Sequence, residues 1–103
     1  MTLDELSQII ATRAATDPSD SWTAKLLAQG PERAAEKFGE EAIEAIIEAV
    51  KGDRAALTCE AADVVFHLLV MLHARDVPIA DVMAELTRRT GQSGLDEKAA
   101  RSK

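Results

Sequence analysis

Two pairs of acidic residues at helical spacing constrain this sequence more than any other feature. Glu41 and Glu44 are three residues apart, and Glu60 and Asp63 repeat that spacing further along the chain. Because residues three or four apart share one face of an α-helix, each pair projects from a single helix. Two carboxylates held at about 5 Å repel by roughly 3 kcal/mol at an effective dielectric constant of about 20. The pattern therefore predicts two neighbouring helices that share a divalent cation.

The composition favours helices around one core. The 103 residues are enough for one small domain, and 47% of them are hydrophobic while only 3% are aromatic. Alanine, leucine, isoleucine and glutamate are plentiful, and these residues favour helix over sheet. We predict an all-α fold, a helical bundle of about four to five helices, in a single domain over residues 1–103 with a polar tail from about 92 to 103.

Apolar periodicity and capping residues define the predicted helices. Thr2, Ser21 and Asp53 are candidate N-caps, and Pro31 and Pro78 suit the first helical position. The predicted helices are 3–14, 22–29, 31–51, 54–74 and 78–90. The two long central helices carry apolar sectors wider than the ~100° stripe that one core contact requires. We therefore expect the bundle to be completed by a symmetry mate in a homodimer.

Charge and hydropathy exclude two classes of partner. The net charge of −6 and a pI near 4.8 argue against nucleic-acid binding, which needs a basic face. The most apolar run, Val64 to Leu72, is far shorter than the ~20 residues of a membrane span. Cys59 is the single cysteine, and the N-terminus lacks the basic and apolar blocks of a signal peptide. These features predict a cytoplasmic protein that binds neither nucleic acid nor membrane.

The acidic pairs are better explained by a metal than by a solvated surface. A lone ExxE pair usually lies on a solvated helix face, but Glu60 and Asp63 occupy the most hydrophobic part of the chain. Buried carboxylates without a partner are costly. Oxygen ligands favour a hard cation, so we predict Mg²⁺, or alternatively Mn²⁺. The candidate ligands are Glu41, Glu44, Glu60 and Asp63.

Other charged or polar residues of the sequence each allow a functional and a structural interpretation. Glu40 could orient or deprotonate a metal-bound water, or be a surface acid. Lys37 could contact a phosphate or reduce the local negative charge. His67 could orient a metal ligand or be a core histidine. A basic region could bind phosphates or complement a helix dipole; its members are Arg88, Arg89, Lys98 and Arg101.

The sequence lacks GxGxxG, Walker, GxSxG and CxxC motifs. Their absence removes most nucleotide-fold and nucleophile chemistries. Metal-assisted hydrolysis, with water as the attacking group, is the chemistry that the acidic pairs still allow.

The spacing of the two acidic pairs resembles that of the all-α nucleotide pyrophosphohydrolases, which include MazG-like enzymes and dimeric dUTPases. Four segments narrow the resemblance to the phosphoribosyl-ATP pyrophosphohydrolase family of histidine biosynthesis. They are SWTAKLL from Ser21, KFGEEAIE from Lys37, EAADVVFHLLV from Glu60 and SGLDEKAAR from Ser93. The resemblance covers residues 3 to 101, and Trp22 and Phe66 stand where tyrosine is frequent in the family.

The resemblance implies Mg²⁺-dependent cleavage of phosphoribosyl-ATP between its α and β phosphates, which yields phosphoribosyl-AMP and pyrophosphate. This is the second step of L-histidine biosynthesis. The resemblance also implies that the four acidic residues are metal ligands and that Glu40 and Glu41 take part in catalysis. The substrate-binding residues that it implies are Lys37, Ser93, Lys98 and Arg101.

Two alternatives stay open. A housecleaning hydrolase acting on dUTP or damaged nucleoside triphosphates would use the same acidic residues, although the segments from Ser21 and Ser93 match the biosynthetic family. A non-catalytic helical interaction module would bind structural Mg²⁺ or no metal. Metal-dependent hydrolysis distinguishes the module from either enzyme.

Overall fold

Five helices and short turns form the part of the chain that this computed structural model describes, residues 1–91. The helices are α1 (Leu3–Ala14), α2 (Trp22–Ala28), α3 (Pro31–Lys51), α4 (Arg54–Ala74) and α5 (Ile79–Thr90). Residues 1–91 contain no strand, so the predicted all-α fold is confirmed. Two predicted helices are each one residue too long, because Gln29 is the C-cap of α2 and Pro78 is the N-cap of α5. The predicted polar tail lies outside the described residues.

Side-chain caps begin three of the helices at the predicted positions. Thr2, Ser21 and Asp53 each accept a hydrogen bond from the backbone N–H three residues further on, at 3.0 to 3.1 Å. These bonds satisfy amide groups that have no partner within the helix. The starts of α1, α2 and α4 are therefore determined by local sequence.

The α3–α4 hairpin places the two acidic pairs opposite each other. Gly52 ends α3 in the left-handed region, with φ +79°, a conformation that favours glycine, and Asp53 begins the next helix immediately. So short a turn makes α3 and α4 antiparallel, and they form the most extensive helix contact in the chain. Glu44 and Glu60 lie at nearly equal distances along the chain from this turn, as do Glu41 and Asp63.

The hydrophobic core lies at the end of the hairpin away from its turn. All five helices contribute to it: α2 packs against both α3 and α4, α1 packs against α4, and α5 packs against α1. The buried apolar members are Ile10, Leu26, Ala34, Leu69, Val70 and Ile79. The acidic residues lie between this core and the turn.

The turn end of the hairpin exposes large apolar side chains. Ile43 and Ile46 are 59% and 60% exposed, and Val50 is 84% exposed. Ile47 is exposed beside them on α3, and Val65 is exposed near the middle of α4. An apolar patch of this kind marks an interaction surface more often than a solvated one. We call Ile43, Ile46, Ile47, Val50 and Val65 the apolar patch.

Among the described residues, α4 is also long and apolar enough to cross a membrane by length and composition. Its most apolar window has a mean hydropathy of 1.7, and 17% of that window is buried within the single chain. One such helix is weak support for a membrane span, because core helices of globular proteins have the same composition. Glu60, Asp63 and His67 also interrupt the apolar surface of α4.

The core predicts a sharp difference between two apolar substitutions on α1. We expect Ile10→Ala to lower the free energy of unfolding by about 2–5 kcal/mol, because Ile10 is 1% exposed and the change leaves a cavity. Leu3→Ala, at an exposed position on the same helix, is the matched control and should cost much less. Urea unfolding followed by circular dichroism measures both, and equal losses would contradict this description of the core.

Candidate metal centre

Three carboxylates from the two central helices converge. Glu41 of α3 and Glu60 and Asp63 of α4 each place one carboxylate oxygen within 4.8 Å of the others. Glu41 is buried, Glu60 is half-buried and Asp63 is exposed. Sequence spacing therefore identified residues that the tertiary structure brings together. The expected burial of Asp63 is wrong for the single chain, because the apolar neighbours Ala61, Ala62 and Val65 are themselves exposed.

Glu44 lies one turn further along α3, outside this group of three but near enough to interact with Glu41 and Glu60. Its pKa is raised, first by the negative charge of Glu41 and then by hydrogen bonding with Glu41 and with Glu60. We call Glu41, Glu44, Glu60 and Asp63 the acidic cluster.

Lys37 partly neutralises the acidic cluster from one turn before Glu41. Its Nζ lies 3.1 Å from Glu41 Oε1, and this hydrogen bond is the main reason that the pKa of Lys37 is raised. Burial acts to raise the pKa of Glu41, but the hydrogen bond and positive charge of Lys37 outweigh it, so that pKa is lowered. One lysine thus stabilises the charge of the most buried acid, and within residues 1–91 the other three acids have no equivalent partner.

A divalent cation fits this group of residues. Glu60 Oε2 is buried and has no hydrogen-bond partner among residues 1–91. A buried carboxylate oxygen in this state is costly unless a proton or a cation reaches it. Carboxylate oxygens are the ligands that Mg²⁺ and Mn²⁺ prefer. The orphaned oxygen, the short distances between carboxylates and the raised pKa of Glu44 all favour a bound cation.

Glu40, a predicted catalytic residue, lies at the edge of the acidic cluster and is exposed. Its Oε1 accepts a hydrogen bond from Arg33 at 3.3 Å, and its Oε2 lies 3.6 Å from Lys37 Nζ. Sequence analysis did not anticipate the contact with Arg33. The spacing of seven residues, which is two helical turns, was the available signal.

His67 follows Asp63 by one turn of α4 and fits neither of its predicted roles cleanly. It is 5% exposed, as a core residue would be, but its Nδ1 has no hydrogen-bond partner among the described residues. Burial lowers the pKa of His67, opposed by the negative charge of Glu41. The ring packs edge-on against Trp22 and Phe66, with centroids 5.4 and 5.3 Å away.

Glu48 is a residue near the site that the predicted ligand set omitted. Its Oε2 is buried without a hydrogen-bond partner in the described chain, and its Oε1 lies 3.4 Å from Lys51 Nζ. Glu48 follows Glu44 by one turn on α3, so helical periodicity was the signal for it. The predicted substrate-binding residues Ser93, Lys98 and Arg101 lie outside the described residues.

Comparison with known proteins identifies the family. The family model described as phosphoribosyl-ATP pyrophosphohydrolase matches residues 3–90, which include the whole acidic cluster. The chain belongs to the phosphoribosyl-ATP pyrophosphohydrolase family. The resemblance inferred from four short segments is confirmed, and membership in this family makes the chain a hydrolase.

Relatives in this family match over almost their full length. A Dinoroseobacter shibae protein named phosphoribosyl-ATP pyrophosphatase is 70% identical over 99 residues, which are 96% of this chain and 97% of that protein. A Ruegeria pomeroyi protein of the same name is 67% identical over 98% of this chain and 96% of its own. A Roseobacter denitrificans protein of that name is 65% identical over 100% of this chain and 98% of its own.

Repulsion within the acidic cluster predicts that Glu44→Gln stabilises the metal-free protein. A carboxyl group whose pKa is raised on folding lowers stability once it ionises, so this cost is absent below the unfolded value of 4.5 and grows as pH rises. Glu44→Gln should therefore raise the melting temperature in chelator at pH 7 and change it little at pH 4.

Glu36→Gln is the matched control on the same helix. Glu36 pairs with Arg33 at 2.7 Å, so its neutralisation should bring no gain in melting temperature at either pH. Calorimetry of both variants checks the prediction. An unchanged or lower melting temperature for Glu44→Gln at pH 7 would contradict it.

Proposed function

We propose that this chain hydrolyses phosphoribosyl-ATP to phosphoribosyl-AMP and pyrophosphate, the second step of L-histidine biosynthesis. The observation that carries the proposal is the convergence of Glu41, Glu60 and Asp63 within 4.8 Å in a chain of this family. Relatives that are 65% to 70% identical and bear the name phosphoribosyl-ATP pyrophosphatase support the choice of substrate. Cleavage of a phosphoanhydride between two charged phosphates suits a site built around a cation.

Glu41, Glu44, Glu60 and Asp63 are the proposed ligands of Mg²⁺, with Mn²⁺ as an alternative. When bound, such an ion neutralises charge on the phosphates and lowers the pKa of a bound water. The residues that would hold the ion come from two adjacent helices, Glu41 and Glu44 from α3 and Glu60 and Asp63 from α4. Glu41, held ionised by Lys37, supplies a buried ligand that needs no deprotonation near neutral pH.

Lys37 and Glu40 are proposed to act on substrate and water. The side chain of Lys37 is 25% exposed and its Nζ already contacts Glu41, so it can turn to a substrate phosphate. The carboxylate of Glu40 can accept a proton from the attacking water at Oε1 or Oε2. Its ion pairs with Arg33 and Lys37 involve partly exposed groups and contribute only about 0–1 kcal/mol, so they do not prevent this role.

The tail residues complete the proposed substrate contacts. Ser93 can donate a hydrogen bond to a phosphate, and Lys98 and Arg101 can neutralise its charge. The cytoplasm is the proposed location, since phosphoribosyl-ATP is a soluble metabolite.

We expect hydrolysis to be specific for phosphoribosyl-ATP and to depend on the acidic cluster. Pyrophosphate release should require Mg²⁺, stop with chelator and exceed release from dUTP, dCTP and ATP. Asp63→Asn should lower kcat by at least about a hundredfold, because it removes a ligand charge. Release measured with a coupled assay checks both statements, and circular dichroism verifies that the variant is helical.

Glu36→Gln, an acid on α3 outside the acidic cluster, is the control and should keep kcat within about twofold. Release from a simple nucleotide alone would favour the housecleaning hydrolase. No release from any substrate would favour the interaction module, and near-normal turnover by Asp63→Asn would remove Asp63 from the metal centre.

A second copy of the chain is the proposed cover for the apolar patch. Its residues lie on the two longest helices, and a two-fold pairing of such hairpins buries the same surface on both partners. A protein partner suits this surface better than lipid does, because α4 also carries acidic residues and His67, which are costly to place in a membrane. The homodimer is therefore proposed as the functional assembly.

We expect Ile46→Lys to convert the dimer to a monomer, since it places a charge in the centre of the apolar patch. Light scattering at micromolar concentration should give about twice the chain mass of 11.1 kDa for the wild type and a single chain mass for the variant. Leu86→Lys, at an exposed apolar position on α5, should leave the mass unchanged. A monomeric wild type would disprove the proposed dimer.

A further inference from the structure

A cleft beside the metal centre is lined by residues outside the acidic cluster. It lies between the end of α1, the turn before α2 and the middle of α4, and its volume is about 350 Å³. Arg13, Asp20, Trp22 and Phe66 contribute to its walls. The cleft combines aromatic surface with one cationic and one anionic side chain, a mixture that suits a nucleoside phosphate.

Trp22 is the dominant aromatic surface of this cleft. It is 53% exposed although tryptophan is the largest apolar side chain, and it also borders a second cleft lined by Pro18 and Lys25. The buried His67 supports it edge-on, at a centroid distance of 5.4 Å and an interplanar angle of 83°. An aromatic ring that is held from one side and exposed on another is a platform on which a nucleobase can stack.

The contacts run in order from the acidic cluster to the cleft. His67 follows Asp63 by one helical turn, which is a rise of about 6 Å. The His67 ring touches both Trp22 and Phe66, and these two border the cleft that contains Arg13. The chemical groups along this path are therefore, in spatial order, carboxylates, imidazole, aromatic rings and guanidinium.

Arg13 supplies the positive charge at the far end of this series. Within residues 1–91 Arg13 makes no ion pair, whereas Arg33 pairs with two glutamates. A cation in the last turn of α1 is favoured by the helix dipole, but this does not require that it border an aromatic cleft. Asp20, on the same wall, can accept hydrogen bonds from ribose hydroxyl groups.

The proposed substrate has its groups in the same order. In phosphoribosyl-ATP the triphosphate is followed by ribose, then adenine, and then a second ribose with its own 5′-phosphate. We propose that Trp22 stacks on the adenine and that Arg13 binds the phosphate of the phosphoribosyl group. This inference rests on the proposed function, because it starts from a triphosphate placed at the acidic cluster. It assigns recognition of the adenine to α2 and recognition of the phosphoribosyl group to α1.

Tryptophan fluorescence tests the stacking directly, because Trp22 is the single tryptophan of the chain. The wild-type protein in Mg²⁺ is titrated with phosphoribosyl-AMP and with AMP, and equilibrium dialysis measures binding independently. Both ligands contain adenine, so both should quench the fluorescence as they bind. Binding of phosphoribosyl-AMP without a change in fluorescence would overturn the role of Trp22.

The Arg13→Ala variant should affect binding of phosphoribosyl-AMP and of AMP differently. It should raise the Kd of phosphoribosyl-AMP at least tenfold and leave the Kd of AMP within about twofold, because AMP lacks the second phosphate. Arg75→Ala is the matched control, since Arg75 is an exposed arginine at the C-terminal end of α4. It should change neither Kd. Equal effects of Arg13→Ala on both ligands, or no effect, would overturn the role of Arg13.

A kinetic measurement adds a readout that does not depend on fluorescence. Trp22→Ala should raise KM for phosphoribosyl-ATP at least tenfold. Trp22→Phe should raise KM much less, because it keeps an aromatic face. Light scattering and circular dichroism verify assembly and fold. A KM of Trp22→Ala within twofold of the wild type would overturn the proposal while pyrophosphate release by the wild type still supported the proposed function.

Discussion

Electrostatic repulsion within the α3–α4 hairpin is the constraint on which the rest of this structure depends. The hairpin brings Glu41, Glu60 and Asp63 within 4.8 Å of one another and places Glu44 near the negative charges of Glu41 and Glu60. Lys37 compensates for one of these charges. The packing of the other helices must hold the hairpin together against the remaining repulsion, and a bound cation would remove it. The same carboxylates therefore lower the stability of the metal-free chain and are needed for the activity of the metal-bound chain.

The position of the acidic cluster along the hairpin links the core, the site and the apolar patch. On one side, α1, α2 and α5 cover the hairpin and bury Val70 and Ala34 completely. On the other side, Ile46 and Val50 remain exposed in the single chain. The acidic cluster lies between the two, where a partially buried carboxylate can be held rigidly and still be reached by substrate. A second chain on the apolar patch would further restrict solvent around it.

The elements of this fold were predictable because their determinants are local. Caps at Thr2, Ser21 and Asp53 and the glycine at position 52 specify helix ends through hydrogen bonds within a few residues. The acidic pairs were predictable as a group because helix periodicity and the antiparallel hairpin leave little freedom in their register. The orphaned Nδ1 of His67 and its contact with Trp22 were not predictable, since these residues lie on different helices far apart in the chain.

The sequence by itself determined the helical class, the helix boundaries to within one residue, the family and the residues of the acidic cluster, since each depends on spacing within one or two helices. Tertiary structure decided that Glu41 is buried while Asp63 is exposed, and that Lys37 neutralises the former. It also decided that His67 lies against the rings of Trp22 and Phe66. The physical reason is that exposure, desolvation and ring contacts depend on how distant segments pack, and no periodicity within a single helix encodes that packing.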